Sequence, residues 1–285
     1  MYDYRLGLYE KAMPDDLSLE EKLLLTKRTG YDHMEFCVDL NPQREARLDW
    51  SKAERSYWRN FIFDNDIPLT TFSLSALRRL PLGLLDEQLN QQSFQMIEKA
   101  AKLACDLGSR VMLINGYDVY DECSTPQTVN RFYENLPTVV EICEIYGLIL
   151  AIENAEKEFC DSIAKAANYV DHIGSPYFCI YGDCGNSANF AQGDTPTALV
   201  GLASGKGRIA AMHLKDTLPG EYRFTPYGQG HVDFAQSIAM AKKLGVKLFT
   251  AELFYQPNTD YEAQARWVNN FLRGFFATEP KLQMV

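Results

Sequence analysis

Short apolar runs alternate along the chain with longer segments in which apolar residues recur at helical spacing. The short runs predict eight β-strands, at 5–9, 33–38, 68–73, 110–114, 148–153, 177–183, 209–214 and 247–252. The longer segments predict helices at 17–29, 51–65, 87–107, 125–146, 161–173, from about 195, 234–244 and 261–275. Glycines directly after several of these segments, such as Gly108 and Gly147, are typical helix stop signals.

Strict alternation of strands and helices indicates repeated βαβ units and a parallel sheet. Eight such units in 285 residues predict an α/β fold, a closed (β/α)₈ TIM barrel, which typically needs about 250 residues. The main alternative is a doubly wound open sheet, which usually has a Gly-rich turn after its first strand. That position reads Leu-Tyr-Glu-Lys-Ala here. No linker-like stretch divides the chain, so we predict one domain over 1–285.

Composition and charge narrow the class of protein. The net charge of −10 argues against a large nucleic-acid-binding surface, and no apolar run reaches the roughly 20 residues that cross a bilayer. The N-terminal residues do not resemble a signal peptide. Seven cysteines without a CxxC pair argue against a disulfide framework. We therefore expect a cytoplasmic protein with no nucleic-acid or membrane partner.

Four late strands each carry a metal-competent side chain at or next to their ends: Glu153, Asp183, His213 and Glu252. In a barrel the C-terminal strand ends converge on the face where active sites lie. Three carboxylates buried together are costly unless a cation compensates them. The sequence therefore predicts a divalent metal at this face, and the mixed oxygen and nitrogen donors suit Zn²⁺, Mn²⁺, Mg²⁺ or Co²⁺. No other cofactor is predicted.

Each of these residues also has a simpler interpretation. A carboxylate at a strand end often caps the next helix or faces solvent, and a histidine after an apolar run is often a core residue. Four such residues at the same point of four consecutive βα units favour the metal site over four coincidences.

Two further features suggest how a substrate would be bound. Arg78 and Arg79 follow the third strand, on the face of the metal. The loop after the seventh strand, which includes Gly228 and His231, is rich in glycine. Loops after strands seven and eight often bind phosphate, and guanidinium groups match phosphate oxygens. We predict that the substrate is contacted by Arg78, Arg79, Asn186, Lys215, Gly228 and His231. The alternatives are that the two arginines are solvated, that the glycines only shape a lid, and that Lys215 and Asp216 form a surface pair.

Several stretches of the chain are more specific than the general barrel pattern. They are Leu-Gly-Leu-Tyr-Glu-Lys-Ala at 6–12, Arg-Leu-Asp-Trp-Ser at 47–51, Ser-Ala-Leu-Arg-Arg-Leu-Pro-Leu-Gly at 75–83, Gly-Tyr-Asp-Val-Tyr at 116–120, His-Leu-Lys-Asp-Thr at 213–217 and Pro-Tyr-Gly-Gln-Gly at 226–230. With the four candidate ligands, they make the chain resemble the xylose isomerase-like barrels, and among them the L-ribulose-5-phosphate 3-epimerases, also known as hexulose-6-phosphate isomerases. Leu77, where that family has a histidine, and the stretch 154–158 depart from the family pattern, and both bear on substrate choice.

The resemblance implies a ketose-phosphate epimerase that acts through a metal-stabilised enediolate. It implies that Glu153 and Glu252 are the catalytic acid/base pair and that Asp183 and His213 mainly hold the ion. The alternatives are another isomerase of this barrel type that acts on a free ketose or a hexulose 6-phosphate, a non-catalytic sugar-binding relative, and an endonuclease IV-like nuclease. The nuclease would need several histidines at the metal, and the chain has four in all.

The partner predicted for this chain is a small sugar or sugar phosphate. A homodimer is also plausible, because aromatic residues could form an apolar surface. These residues are Trp58, Trp267, Phe271, Phe275 and Phe276. Packing of the last helix on its own barrel would explain most of them equally well.

Overall fold

The predicted strands close into one parallel barrel in the computed structural model of the chain, which describes residues 3–278. Each strand pairs with the next, and the first pairs with the last. In chain order they are β1 (Arg5–Tyr9), β2 (His33–Val38), β3 (Thr71–Leu74), β4 (Val111–Asn115), β5 (Ile149–Glu153), β6 (Phe178–Asp183), β7 (Ile209–Leu214) and β8 (Leu248–Ala251). The prediction of a (β/α)₈ barrel is confirmed, and the extreme ends of the predicted 1–285 domain lie outside the described residues.

Ten α-helices surround the barrel within residues 3–278. They are α1 (Leu19–Arg28), α2 (Pro42–Glu45), α3 (Lys52–Asp64), α4 (Glu87–Leu107), α5 (Pro126–Ile145), α6 (Ile163–Ile173), α7 (Cys184–Phe190), α8 (Thr195–Ser204), α9 (Phe234–Lys243) and α10 (Tyr261–Phe276). Local sequence defines several helix starts. Ser18 and Ser51 each form a capping box with the glutamate three residues later, which satisfies backbone N–H groups of the first turn.

Two apolar cores stabilise the barrel. The larger lies between the sheet and the surrounding helices, and Leu23, Phe72 and Ile97 are fully buried in it. The smaller consists of side chains that alternate on the inner face of the strands, such as Val111, Leu113 and Ala211. These two layers fix the strands rigidly and so position the side chains at the strand ends.

The structure corrects some predicted boundaries. β3 begins at Thr71 rather than at residue 68. Pro68 has no N–H to donate and contributes only its carbonyl, which accepts from the Met34 N–H at 3.1 Å. β8 ends at Ala251, so Glu252 follows the strand instead of ending it. The short helices α2 and α7 were not predicted, since neither is long enough to show a helical apolar repeat. None of the helices in the described part of the chain is long and apolar enough to cross a membrane.

Candidate metal centre

Four strand ends bring three carboxylates and one imidazole together. One ligand atom from each of Glu153, Asp183, His213 and Glu252 lies within 4.8 Å of the others. Glu153 and Asp183 end β5 and β6, His213 is the penultimate residue of β7, and Glu252 directly follows β8. All four residues are buried. The structure thus places side by side the residues that the strand ends had singled out.

Asp183 is held in place by the start of α7. Its Oδ1 accepts a hydrogen bond from the backbone N–H of Asn186 at 2.9 Å, as an N-cap does. The side chain of Asn186 donates to the carbonyl of Asn154 at 2.7 Å, and Asn154 in turn accepts from the Asp183 N–H at 2.8 Å. The capping role and the cluster role therefore coexist, and Asn186 ties the ends of β5 and β6 together.

His213 has a carboxylate at each ring nitrogen. Its Nδ1 lies 2.8 Å from Glu153 Oε1 and 3.9 Å from both Asp183 Oδ2 and Glu252 Oε1. Its Nε2 lies 2.7 Å from Glu35 Oε1, on the other side of the ring. The histidine is therefore part of the cluster through Nδ1, and it is not an isolated core residue.

Lys215 connects two members of the cluster. Its Nζ lies 2.8 Å from Asp183 Oδ2 and 2.7 Å from Glu252 Oε2, and the side chain is buried. Asp216 is buried as well, so the alternative of a solvated surface pair for these two residues is wrong. The cluster receives one ammonium charge from the protein, against three carboxylates.

The two glutamates of the cluster have different electrostatic surroundings. Burial raises the pKa of Glu153, and the hydrogen bond to His213 offsets this only in part. Burial also disfavours the charged form of Glu252, but the Lys215 ammonium and His213 outweigh it and lower its pKa. The pKa values of the two carboxyl groups are therefore displaced in opposite directions.

The donor set fits a divalent cation. Three carboxylate oxygens and one imidazole nitrogen are hard-to-borderline ligands, and the cluster includes no thiolate. Lys215 alone cannot balance the carboxylates when all are ionised. Glu153, Asp183, His213 and Glu252 are thus the residues that could hold the ion.

Glu35 contacts the cluster but was not predicted. It lies in the middle of β2, is completely buried, and reaches both His213 and the Tyr181 hydroxyl. Asn115, at the end of β4, was missed as well; its side-chain amide donates to Glu153 Oε2 at 2.5 Å. A charged residue inside an apolar strand was an available signal for Glu35, although its partner could not be read from the sequence.

The two predicted arginines have different surroundings. Arg78 is half-buried, its guanidinium carbon lies 4.0 Å from the centre of the Tyr120 ring, and among the described residues no carboxylate lies within 4 Å of it. Arg79 is exposed and forms an ion pair with Glu45. Of these two arginines, therefore, only Arg78 has a guanidinium that is not already paired with a carboxylate.

The glycine-rich loop after β7 has its own acceptor. The N–H groups of Gly228 and Gly230 donate to Asp216 Oδ2 at 2.8 and 2.9 Å. His231 Nε2 lies 3.0 Å from the Thr217 hydroxyl. Asp216 already accepts from both glycine N–H groups, so these two donors are not free to bind a phosphate.

A family model described as "Xylose isomerase-like TIM barrel" matches residues 23–271. The chain belongs to this family. It is also 36% identical over 240 residues to the L-ribulose-5-phosphate 3-epimerase of Escherichia coli O157:H7, which covers 84% of this chain and 83% of the relative. Since such relatives are named epimerases, the prediction of an isomerase that acts on carbohydrates is confirmed.

Solved structures of two other proteins share the fold of this chain. A D-tagatose 3-epimerase-like protein superposes with a TM-score of 0.79 at 16% identity, covering 96% of this chain and 98% of the other. An L-ribulose 3-epimerase superposes with a TM-score of 0.77 at 18% identity, covering 96% of each chain. At these identities the likeness supports the barrel architecture.

The nuclease alternative finds no support in the cluster. Only His213 of the four histidines belongs to it. His33 starts β2 and its Nε2 lies 3.5 Å from the Thr250 hydroxyl, below the cluster. His172 lies on α6, and His231 Nε2 lies 3.0 Å from the Thr217 hydroxyl. A site with several histidine ligands is absent from the described residues.

Proposed function

We propose that this chain is a metal-dependent ketose-phosphate epimerase that inverts C3 of L-ribulose 5-phosphate. One observation carries the proposal. A buried cluster of three carboxylates and one histidine lies at the C-terminal strand ends of a chain related over most of its length to enzymes named L-ribulose-5-phosphate 3-epimerase.

Glu153, Asp183, His213 and Glu252 would hold the ion, whether Zn²⁺, Mn²⁺, Mg²⁺ or Co²⁺. A divalent ion at this position supplies Lewis-acid polarisation of the substrate carbonyl. Asp183 and His213 would mainly serve as ligands, because α7 and Glu35 hold them in single orientations.

Glu153 and Glu252 would move the proton. One carboxylate takes the proton from C3, and the electron pair of the broken C–H bond enters an enediolate. The other carboxyl group returns a proton to C3 from the opposite face, and the electron pair forms the new C–H bond. Both carboxylates belong to the cluster and each can accept or donate a proton, as epimerisation through two proton transfers requires.

Arg78 is the residue best suited to contact the phosphate. The Tyr120 ring beneath its guanidinium also lines a cleft of about 580 Å³, whose wall includes residues of the loops that follow β4, β5 and β7. Asn186 and Lys215 lie close enough to the cluster to contact the sugar. Arg79, Gly228 and His231 are already engaged elsewhere, so they have weaker support as substrate contacts.

A homodimer is the oligomeric state proposed for this chain. Trp267 on α10 is 52% exposed, whereas Phe276 on the same helix is buried against the barrel. Most of the aromatic residues considered for a dimer interface thus pack on their own chain. Light scattering on the purified protein would measure the oligomeric state.

The position of proton exchange tests the function. The enzyme is incubated in D₂O with L-ribulose 5-phosphate, free L-ribulose and a hexulose 6-phosphate, and products are followed by NMR. We expect deuterium at C3 of the inverted pentulose phosphate. Deuterium at C1 or C2 with aldose formation would indicate an aldose–ketose isomerase. Faster exchange with a free ketose would show that the enzyme acts on free sugars. Leu77 favours this second candidate, since a buried apolar side chain stands where the related epimerases have a histidine.

A further inference from the structure

A polar layer lies inside the barrel directly below the candidate metal ligands. Tyr181 precedes Asp183 by two residues on β6, and Thr250 on β8 precedes Glu252, which follows that strand, by two residues. Residues two apart on a strand point to the same side, so both side chains lie one step deeper in the barrel than the ligands. Glu35 projects into this layer from β2, across the barrel.

Glu35 is held from two sides within this layer. Its Oε1 lies 2.7 Å from His213 Nε2, and its Oε2 accepts a hydrogen bond from the Tyr181 hydroxyl at 2.5 Å. The Thr250 hydroxyl lies 3.1 Å from the Tyr181 hydroxyl and 3.5 Å from Glu35 Oε2. The strands that carry the ligands therefore also fix the carboxylate beneath them.

A buried carboxylate in a barrel interior costs free energy unless it is paired. Among the described residues, His213 is the only basic side chain within 4 Å of Glu35. Glu35 contacts Nε2, whereas the cluster carboxylates surround Nδ1. Glu35 therefore lies behind the imidazole and does not itself point into the cluster.

The two ring nitrogens of a histidine ligand have different tasks. The nitrogen that binds a metal must present a lone pair, and the other carries the hydrogen and needs an acceptor. Given the metal centre proposed above, on which this inference rests, we propose that Glu35 is a positioning residue: it accepts the Nε2–H of His213 and so holds Nδ1 towards the metal. Tyr181 keeps the Glu35 carboxylate in the orientation that this contact requires.

Metal affinity is the first test. Dissociation constants of zinc are measured by competition with a chromophoric chelator for the wild type, Glu35→Ala and Glu35→Gln. We expect Glu35→Ala to weaken binding by about 10–100-fold, the usual cost of losing such a partner. Glu35→Gln should weaken it about 10-fold, at the lower end of that range, because an amide can present either its oxygen or its NH₂ group to Nε2.

The ring itself supplies a second measurement. In the zinc-loaded wild type, ¹⁵N NMR of labelled histidine should show His213 with its hydrogen on Nε2 alone. Glu35→Gln should broaden or shift this signal, because the amide no longer imposes one orientation. Since glutamine is nearly isosteric with glutamate, this variant keeps the test available if Glu35→Ala does not fold.

Glu10→Gln is the matched control. Glu10 is an equally buried carboxylate that contacts Arg47 and Lys22 rather than His213. The Glu10→Gln variant should have a lower free energy of unfolding than the wild type. Its zinc dissociation constant should stay within about twofold of the wild-type value, a spread comparable to ordinary context effects. Wild-type affinity and an unchanged His213 signal in Glu35→Gln would overturn the positioning role alone. Failure of the wild type to bind any divalent ion would overturn the proposed metal centre itself.

Discussion

Two regions on the C-terminal side of the barrel bury carboxylates, one after β1 and one at the ends of β5 to β8. After β1, Glu10 meets two cations: the Arg47 guanidinium donates to both of its oxygens at 2.6 Å, and Lys22 Nζ lies 3.4 Å away. The N–H of Cys37 also donates to it at 3.0 Å. The protein's own side chains therefore neutralise this carboxylate completely.

At the ends of β5 to β8 the balance is reversed. The three carboxylates of the cluster share one ammonium group, that of Lys215, and one imidazole, that of His213. Glu35 adds a fourth carboxylate behind the imidazole. A fold that supplies two cations to one carboxylate at Glu10 leaves this site short of positive charge. This difference is what we expect if the cluster receives a divalent cation from solution, as proposed, while the Glu10 region has a structural role only.

The largest expected effect concerns the acid/base pair. Glu153→Gln and Glu252→Gln should each lower kcat by about 10²–10⁴-fold, because each removes one of two required proton transfers. Each variant can retain exchange of the C3 proton from one face. Turnover and deuterium exchange are measured by NMR on the phosphorylated ketose. Near-wild-type turnover in either variant would remove that glutamate from the mechanism.

The next effect concerns the ion. The purified protein should contain one divalent ion per chain by elemental analysis, and His213→Ala should weaken its binding by more than the roughly 10–100-fold that loss of a supporting partner costs. Saturating metal should also raise the unfolding free energy of the wild type, by about 2.7 kcal/mol at a hundred times Kd. Undiminished metal content in His213→Ala would contradict the assignment of this ligand.

The contribution of Glu10 to the stability of the protein should depend on pH and not on metal. Burial opposes ionisation of Glu10, but Arg47 and Lys22 lower its pKa from 4.5 to about 2. A lowered folded-state pKa stabilises the protein fully above pH 4.5, and this contribution is lost as the pH falls towards 2. This contribution to the free energy of unfolding is on the order of 3 kcal/mol. Glu10→Gln should therefore destabilise the protein at pH 7, and the difference from the wild type should shrink in acid.

Urea unfolding of metal-free protein at several pH values measures this difference. The metal-free state is needed because protonation of the ligands would make metal binding itself depend on pH. A difference between Glu10→Gln and the wild type that does not change between pH 7 and pH 3 would show that charge compensation is not what stabilises this region.

The smallest effect separates the two arginines. Arg78→Ala should reduce kcat/KM for the phosphorylated ketose by about tenfold to a hundredfold, the equivalent of about 1.5–3 kcal/mol for a charge-assisted contact. Arg79→Ala should change it little, because an exposed ion pair such as that with Glu45 contributes about 0–1 kcal/mol. Free L-ribulose serves as the control substrate, and equal losses on both substrates would argue against a phosphate contact.

The alternation of apolar runs was enough to predict the barrel, since strands and helices bury their residues with different periods. The candidate ligands followed from the same pattern, because parallel strands of a barrel end on one face. Boundaries were less secure: Glu252 lies one residue beyond β8, and α7 was missed because its seven residues begin with Cys-Gly-Asn and depend on the Asp183 cap.

Periodicity along the chain thus determined the fold and the four strand-end residues of the candidate site. Contacts across the barrel were decided only by the tertiary structure. Glu35 and His213 are 178 residues apart in sequence, and barrel closure alone brings them to 2.7 Å. Lys215 could equally have faced solvent, and only the packing of its neighbours directs it to Asp183 and Glu252. Local sequence encodes burial and strand direction, but the partner of a buried charge depends on which strands meet across the interior.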